Sequence, residues 1–344
     1  MKTPQYSINR RTFIQRSAHG AGVLAFGRAA LDFSPRAYSA DRAANPFAYE
    51  VEYLAKTDPA LLKYEEVRRF AVPGPEPRRI DIGPGDRLYV ATEKGVNILD
   101  AKGGPVGDLP TSEPARCVGV APDGMVYVGL RDHIEVFDSR FAPAGAWQSP
   151  ARKTWLTGLA LKGSDLFAAD SGNRVVLRYD RSGKLNGRIG EKNHDRNVPG
   201  LVVPSPYLDI VPAPDGLIRV ADPGRHRVEA YTLDGDLEFS WGKPSNAIDG
   251  FCGCCNPIGL TILPDGKFVT CEKGLPRVKV YQADGTFESV VAGTESFPEN
   301  ARRGSARNPS DGMMGGLDAA VDSQGMIYIL DLVARDVRVM RRKG

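Results

Sequence analysis

Apolar and polar residues alternate along most of this chain in short runs, and nearly every run stops at a Gly, Asp or Pro. Alternation with period two is the mark of a half-buried strand. The clearest stretch starts at Leu208-Asp-Ile-Val-Pro-Ala-Pro-Asp-Gly216 and continues through Val220-Ala-Asp-Pro-Gly-Arg-His-Arg-Val228 to Asp234-Gly-Asp236. It predicts three strands, the first and third ending at Asp-Gly, where both turn residues must tolerate positive φ. Leu237–Trp241 supplies a fourth strand.

The same grammar recurs six times. First-hairpin turns fall at Gly85-Asp86, Asp123-Gly124, Gly163–Asp165, Asp215-Gly216, Asp265-Gly266 and Ser323–Gly325. Second-strand ends fall near Glu93, Leu130, Asp170, Asp222, Glu272 and Asp331, at spacings of 37 to 59 residues. Four-stranded units of this size repeated around a ring predict an all-β, six-bladed β-propeller. The last unit, Gly316–Lys343, holds only three strands, and Glu66–Val72 supplies the fourth. Pairing the two ends closes the circle and removes the exposed sheet edges. The chain divides into residues 1–39, an extension over 40–64, and the propeller over 65–344. Within the extension, Tyr49–Tyr53 reads as a strand and Pro59–Leu62 as one helical turn, packed on the propeller wall.

Ala169-Asp-Ser-Gly-Asn-Arg-Val175, Ala221-Asp-Pro-Gly-Arg-His-Arg-Val228, and Gly242 followed by Gly250-Phe251 and Pro257-Ile-Gly259 resemble the NHL-repeat family of six-bladed propellers. The resemblance covers about residues 65 to 344. It implies the fold and leaves function open, because the wider group includes scaffolds, ligand sensors, lactonase-like calcium enzymes and a zinc-dependent amidating lyase.

Charge bears on address and partners. Ser7-Ile-Asn-Arg-Arg-Thr-Phe-Ile14 looks like a twin-arginine export signal, followed by an apolar stretch at Ala21–Phe26 and a small-residue cleavage site at Ala37-Tyr-Ser39. The expectation is a periplasmic or otherwise exported protein that uses the twin-arginine machinery. The net charge is +3, but residues 1–39 carry six Lys or Arg and one Asp. The remainder holds 39 basic against 41 acidic residues, and no basic cluster with interleaved aromatics. Nucleic acid is therefore not the expected partner. No run approaches the roughly 20 apolar residues of a membrane span.

Strand alternation brings the loop entering each blade and the hairpin between its second and third strands to one rim. Every His and Cys after residue 39 maps there. The sharpest cluster is Phe251-Cys-Gly-Cys-Cys-Asn-Pro257, with Cys271 nineteen residues after Cys252. Four thiolates suit a transition metal such as zinc or copper(I), or an iron–sulfur cluster. In an oxidising compartment, a disulfide from Cys252 or Cys254 to Cys271 is the structural alternative. Cys254 and Cys255, being adjacent, are expected to point apart.

Aligning the repeats puts Asp81, Cys117, Thr157, Asp209, Gly259 and Asp318 at one position near the channel mouth. Asp81, Asp209 and Asp318 could hold a hard cation such as calcium there, or accept backbone N–H bonds. His194, within Lys192–Arg196, is the candidate general base. His133, His226, Arg302, Arg303 and Arg307 are candidate ligand contacts. The long connection Gly293–Gly316, with Met313-Met314, reads as a lid or partner loop. No Ser-His-Asp set or Gly-x-Ser-x-Gly elbow occurs, so a serine hydrolase is unsupported. The leading expectation is a binding or interaction propeller that recognises a small molecule or polypeptide at the rim of its fourth to sixth blades. The rivals are a metal-dependent lyase or hydrolase, and thiol or metal redox chemistry at the cysteines.

Overall fold

The computed structural model describes residues 52–303 and 316–344. Among them, six antiparallel sheets of four strands each follow one another along the chain. Blade 1 starts at the inner strand Arg79–Gly83, blade 2 at Cys117–Val120, blade 3 at Leu156–Lys162, blade 4 at Ile210–Pro212, blade 5 at Gly259–Ile262 and blade 6 at Leu317–Val321. Blade 6 takes its outermost strand, Tyr64–Ala71, from the other end of the propeller. That strand runs antiparallel to Asp336–Arg342, with Glu66 opposite Met340 and Phe70 opposite Val337.

The core explains the strand pattern. One cluster of buried apolar residues fills each gap between neighbouring blades, six clusters for six gaps. Ile218 and Val220 of blade 4 pack toward blade 3 against Phe167, while Val228 and Trp241 pack toward blade 5 against Phe251 and Tyr281. Both faces of a blade are therefore buried, which is why second strands such as Ile218–Asp222 are almost wholly inaccessible. Fully burying a Val or Ile side chain contributes about 1.5–3 kcal/mol. The gap between blades 6 and 1 is filled like the rest, by Leu330 and Val337 against Ile80, Leu88 and Val90. The ring is closed by packing as well as by the shared sheet.

Strand ends match the sequence landmarks at Asp170, Asp222 and Asp331, and fall within a residue of them at Thr92, Gly129 and Cys271. Three second-to-third hairpins share one geometry. Each starts at a buried acid, Asp170, Asp222 or Asp331, and reaches a left-handed residue four positions on: Arg174, His226 or Arg335. In the extension, Glu52–Ala55 is a 3-10 turn, so the strand expected over Tyr49–Tyr53 does not extend there. Pro59–Leu61 forms the expected single turn, capped by Asp58, whose Oδ1 accepts the Ala60 amide at 2.9 Å. Leu62 then bridges to Val290 on the outer strand of blade 5, placing this segment on the propeller wall. The expected signal over residues 1–39 lies outside the described residues.

Candidate functional site

The channel mouth is organised by an arginine. Arg79 stands opposite Ala91 in blade 1, as Cys117 stands opposite Gly129, Gly259 opposite Cys271 and Asp318 opposite Leu330. Arg79, rather than Asp81, therefore occupies the position shared by the inner strands. Asp81 lies two residues further in. A slip of two residues keeps every side chain on the same face, so alternation cannot reveal it.

Arg79 reaches across the channel from blade 1 to four other blades. Its Nε donates to the Thr157 carbonyl at 2.8 Å and its Nη2 to the Ile258 carbonyl at 3.2 Å. Its Nη1 pairs with Asp318 at 2.8 Å and Asp209 at 3.2 Å. All three charged side chains are buried. The two carboxylates hold the guanidinium firmly in its charged form against its own burial. Burial raises the Asp209 carboxyl, and the Arg79 charge opposes that rise. The cation centre expected from Asp81, Asp209 and Asp318 thus has a protein cation inside it. Among the described residues, no three His, Cys, Asp or Glu side chains converge as a metal-binding group.

The same carboxylates stitch neighbouring blades together. Asp318 Oδ2 accepts the Ile80 amide, Asp209 Oδ2 the Leu260 amide and Asp81 Oδ2 the Val120 amide, each at 2.8 Å. Each acceptor lies on one inner strand and its donor on the next. The channel-facing edge of a blade has no further strand to pair with, and these carboxylates satisfy its free N–H groups. Gly158 belongs to this arrangement, because a Cβ there would meet Asp209 Oδ1 at 2.7 Å. The channel holds a cavity of ≈ 340 Å³ whose walls include Arg79, Asp81, Cys117, Asp209 and Asp318. A second, of ≈ 530 Å³, lies among the first-hairpin turns at Asp86, Pro264 and Ser323, the end opposite the rim.

The cysteines divide into two groups. Cys117 is buried between blades 2 and 3, and Cys271 between blades 5 and 6. Burial pushes the Cys117 thiol up to about 12 and raises that of Cys271 well above its ordinary value. All five cysteines are free thiols. The expected bridge to Cys271 is absent because that side chain points into the core, as a small hydrophobe would.

Cys252, Cys254 and Cys255 lie on the loop entering blade 5, and Cys252, Gly253 and Asn256 in that loop are clamped. The Cys252 amide donates to Glu272 Oε2 at 3.2 Å. The Gly253 carbonyl faces His226 Nε2 at 2.7 Å. Asn256 Nδ2 donates to the carbonyls of Cys252 and Lys273, at 2.7 and 2.9 Å, while its Oδ1 accepts the Lys273 amide at 2.9 Å. Gly253, at φ +80°, allows the sharp bend that this frame requires. The result overturns one expectation. Cys254 and Cys255 do not point apart: their sulfurs stand 3.1 Å from each other.

Glu272 anchors that frame through a buried ion cluster. It pairs with Arg277 and with Lys279, each at 2.8 Å. Lys279 Nζ also sits 4.6 Å from the centre of the Phe251 ring. Burial lowers the Lys279 amine despite the Glu272 charge. Equivalent acids hold other loops: Asp222 accepts the Val202 amide at 3.2 Å, and Asp331 accepts Asn300 Nδ2 at 3.0 Å. Sequence reasoning missed Arg79, Asn256 and Lys273. The pair Arg78-Arg79 directly before an apolar strand was the available signal, since arginine there requires an internal partner.

The histidines separate. His226 meets the cysteine loop. His133 Nδ1 faces Asp132 at 3.0 Å in blade 2. His194 is exposed on a hairpin whose Arg196 donates to Asp236 Oδ1 and the Asp234 carbonyl, both at 2.7 Å. That pins the hairpin to the outer turn of blade 4, on the perimeter, so His194 does not join the channel or cysteine groups. In the connection after blade 5, Pro298–Arg303 is a short helix, and Asn300 ties it to Gly316. The Arg302 and Arg303 side chains, Arg307 and Met313-Met314 lie outside the described residues. No described helix is long and apolar enough to cross a membrane.

No protein-family model and no curated protein matches the chain by sequence. Solved structures do match its fold. A virginiamycin B lyase from Staphylococcus aureus is similar at TM-score 0.56 and 13% identity, over 81% of this chain and 100% of that one. A streptogramin B lyase gives 0.52 and 11%, over 81% and 97%. The WD40 β-propeller domain of Doa1 gives 0.52 and 10%, also over 81% and 97%. At such identities the likeness carries the propeller fold, which enzymes and interaction domains share.

Proposed function

We propose that this protein is an exported, NHL-like propeller that binds a small molecule or polypeptide at the rim of blades 4 to 6. The supporting observation is the frame around the cysteine loop. Loops from two blades are fixed there by buried acids, and the frame leaves Cys254 exposed and His226 half-buried beside the buried Lys273 and Tyr207. Lys273 Nζ lies 4.5 Å from the centre of the Tyr207 ring. A rigid base with mixed polar and aromatic groups suits recognition, because little ordering entropy remains to be lost on binding. Occupation of the channel mouth by Arg79 weighs against the metal-dependent lyase or hydrolase.

Photo-crosslinking tests the binding site. Val202, exposed beside Asp222 on the loop entering blade 4, and Val106, exposed on the outer strand of blade 1, each receive a photoreactive residue. Adducts concentrated at Val202 support the rim. Equal yields at the two positions exclude it. Export is tested separately by fractionating cells that express Arg10→Lys/Arg11→Lys, which should retain the protein in the cytoplasm.

A further inference from the structure

The clamps at Cys252, Gly253 and Asn256 leave two residues of the turn facing each other, Cys254 and Cys255. Cys254 is exposed and Cys255 is buried. Ser205, on the loop entering blade 4, and Lys273, on the blade 5 hairpin, both favour ionisation of the Cys255 thiol. They are also joined to each other, Lys273 Nζ donating to Ser205 Oγ at 3.3 Å. Burial opposes ionisation of Cys255, but Ser205, Cys254 and Lys273 outweigh it and hold this thiol below its ordinary value. The bond to Cys255 raises the Cys254 thiol. Cys255, beside the Lys273 ammonium group, is therefore the more acidic sulfur of the pair, and Cys254 is its less acidic, accessible neighbour.

We infer that Cys254 and Cys255 form a vicinal dithiol that exchanges electrons with an external disulfide. Both sulfurs lie on one turn, so the product is a ring closed between adjacent residues, and nothing else in the blade needs to move far. Access decides the order of steps. An incoming disulfide, RSSR, meets Cys254 first. As the Cys254 sulfur attacks, its proton passes to Cys255, one RS⁻ leaves, and a mixed disulfide forms at Cys254. Cys255 gives that proton to the departing RS⁻ and returns to thiolate beside Lys273. It then attacks the Cys254 sulfur and expels the second RS⁻. The protein loses two electrons and one proton, and RSSR becomes RSH and RS⁻. Thiol–disulfide exchange of this kind depends on thiolate character and on access, which the pair divides between its two members. Lys273 acts as a positioning residue. Cys117 and Cys271 take no part, being buried in the core without a neighbouring cation bond.

The test uses the whole exported chain equilibrated with glutathione and glutathione disulfide, followed by alkylation of the remaining thiols and peptide mass spectrometry. The expected result is a reversible loss of two thiols, both on Cys254 and Cys255, with three thiols still alkylated after unfolding. Cys252→Ser should leave that loss unchanged, and Cys254→Ser should abolish it. Lys273→Met should move the pH midpoint of the reaction upward by about one unit. Five thiols at every glutathione ratio, a bridge involving Cys252, or a glutathione adduct stopping at Cys254 would each overturn the inference. Glutathione disulfide is the sole probe, so this outcome is independent of whether the rim binds its proposed ligand.

Discussion

The channel mouth and the cysteine loop are both places where the propeller gathers reactive side chains, and they use them in opposite ways. At the channel, Arg79, Asp209 and Asp318 satisfy one another and the edges of neighbouring blades, with all three buried. At the loop, buried Glu272 and Asn256 hold backbone groups, Glu272 also pairing with Arg277 and Lys279, and Cys254 is left outside. A closed charge set holds a ring together. A closed frame around a thiol pair leaves one of its two sulfurs accessible. Concentration of charge alone did not distinguish the two.

The sharpest way to break this contrast is Arg79→Met. It leaves two buried carboxylates without their cation, and should cost about 3–5 kcal/mol in urea unfolding. A loss below about 1 kcal/mol would mean that the ring does not depend on this arginine. Next in size, Asn256→Ala removes three bonds across the cysteine loop and should cost about 1–3 kcal/mol. Hydrogen exchange should rise at residues 252–257 and remain unchanged at the channel strands.

A smaller effect comes from Asp81, whose carboxyl burial raises to about 6 although the Val120 and Ile82 amides oppose the rise. The folded state then keeps a proton that the unfolded chain has already lost. Stability from this group is full below the ordinary carboxylate range and is lost as pH rises through about 6. Asp81→Asn should remove that slope, so the difference in unfolding free energy between variant and parent should change by on the order of 1 kcal/mol between pH 4 and pH 8. A constant difference would refute it. Smallest of all, Arg196→Ala loosens the perimeter hairpin and should cost under about 1 kcal/mol, as a surface ion pair does. The thiol count should not change.

The six-sheet ring was legible in the sequence because strand alternation and Asp-Gly turns repeat at blade-sized spacing, and because the last repeat lacks one strand. The site was legible only in part. The cysteine loop could be located, since turn residues mark it. The approach of Cys254 to Cys255 could not, because it depends on the Gly253 bend and on Asn256 bonding to Lys273, seventeen residues away. Arg79 was hidden by the two-residue slip in blade 1, because Asp81 shares its strand face and matches Asp209 and Asp318 in chemical type. The buried position of Cys271 followed from which face of its strand meets blade 6, a choice that spacing between cysteines does not encode.

Calorimetric titration with calcium tests most directly whether the channel mouth already carries its own cation. Arg79 in place predicts no binding heat for the parent protein and none for Asp209→Asn. Stoichiometric calcium binding by the parent, abolished in Asp209→Asn, would contradict the arginine-centred channel.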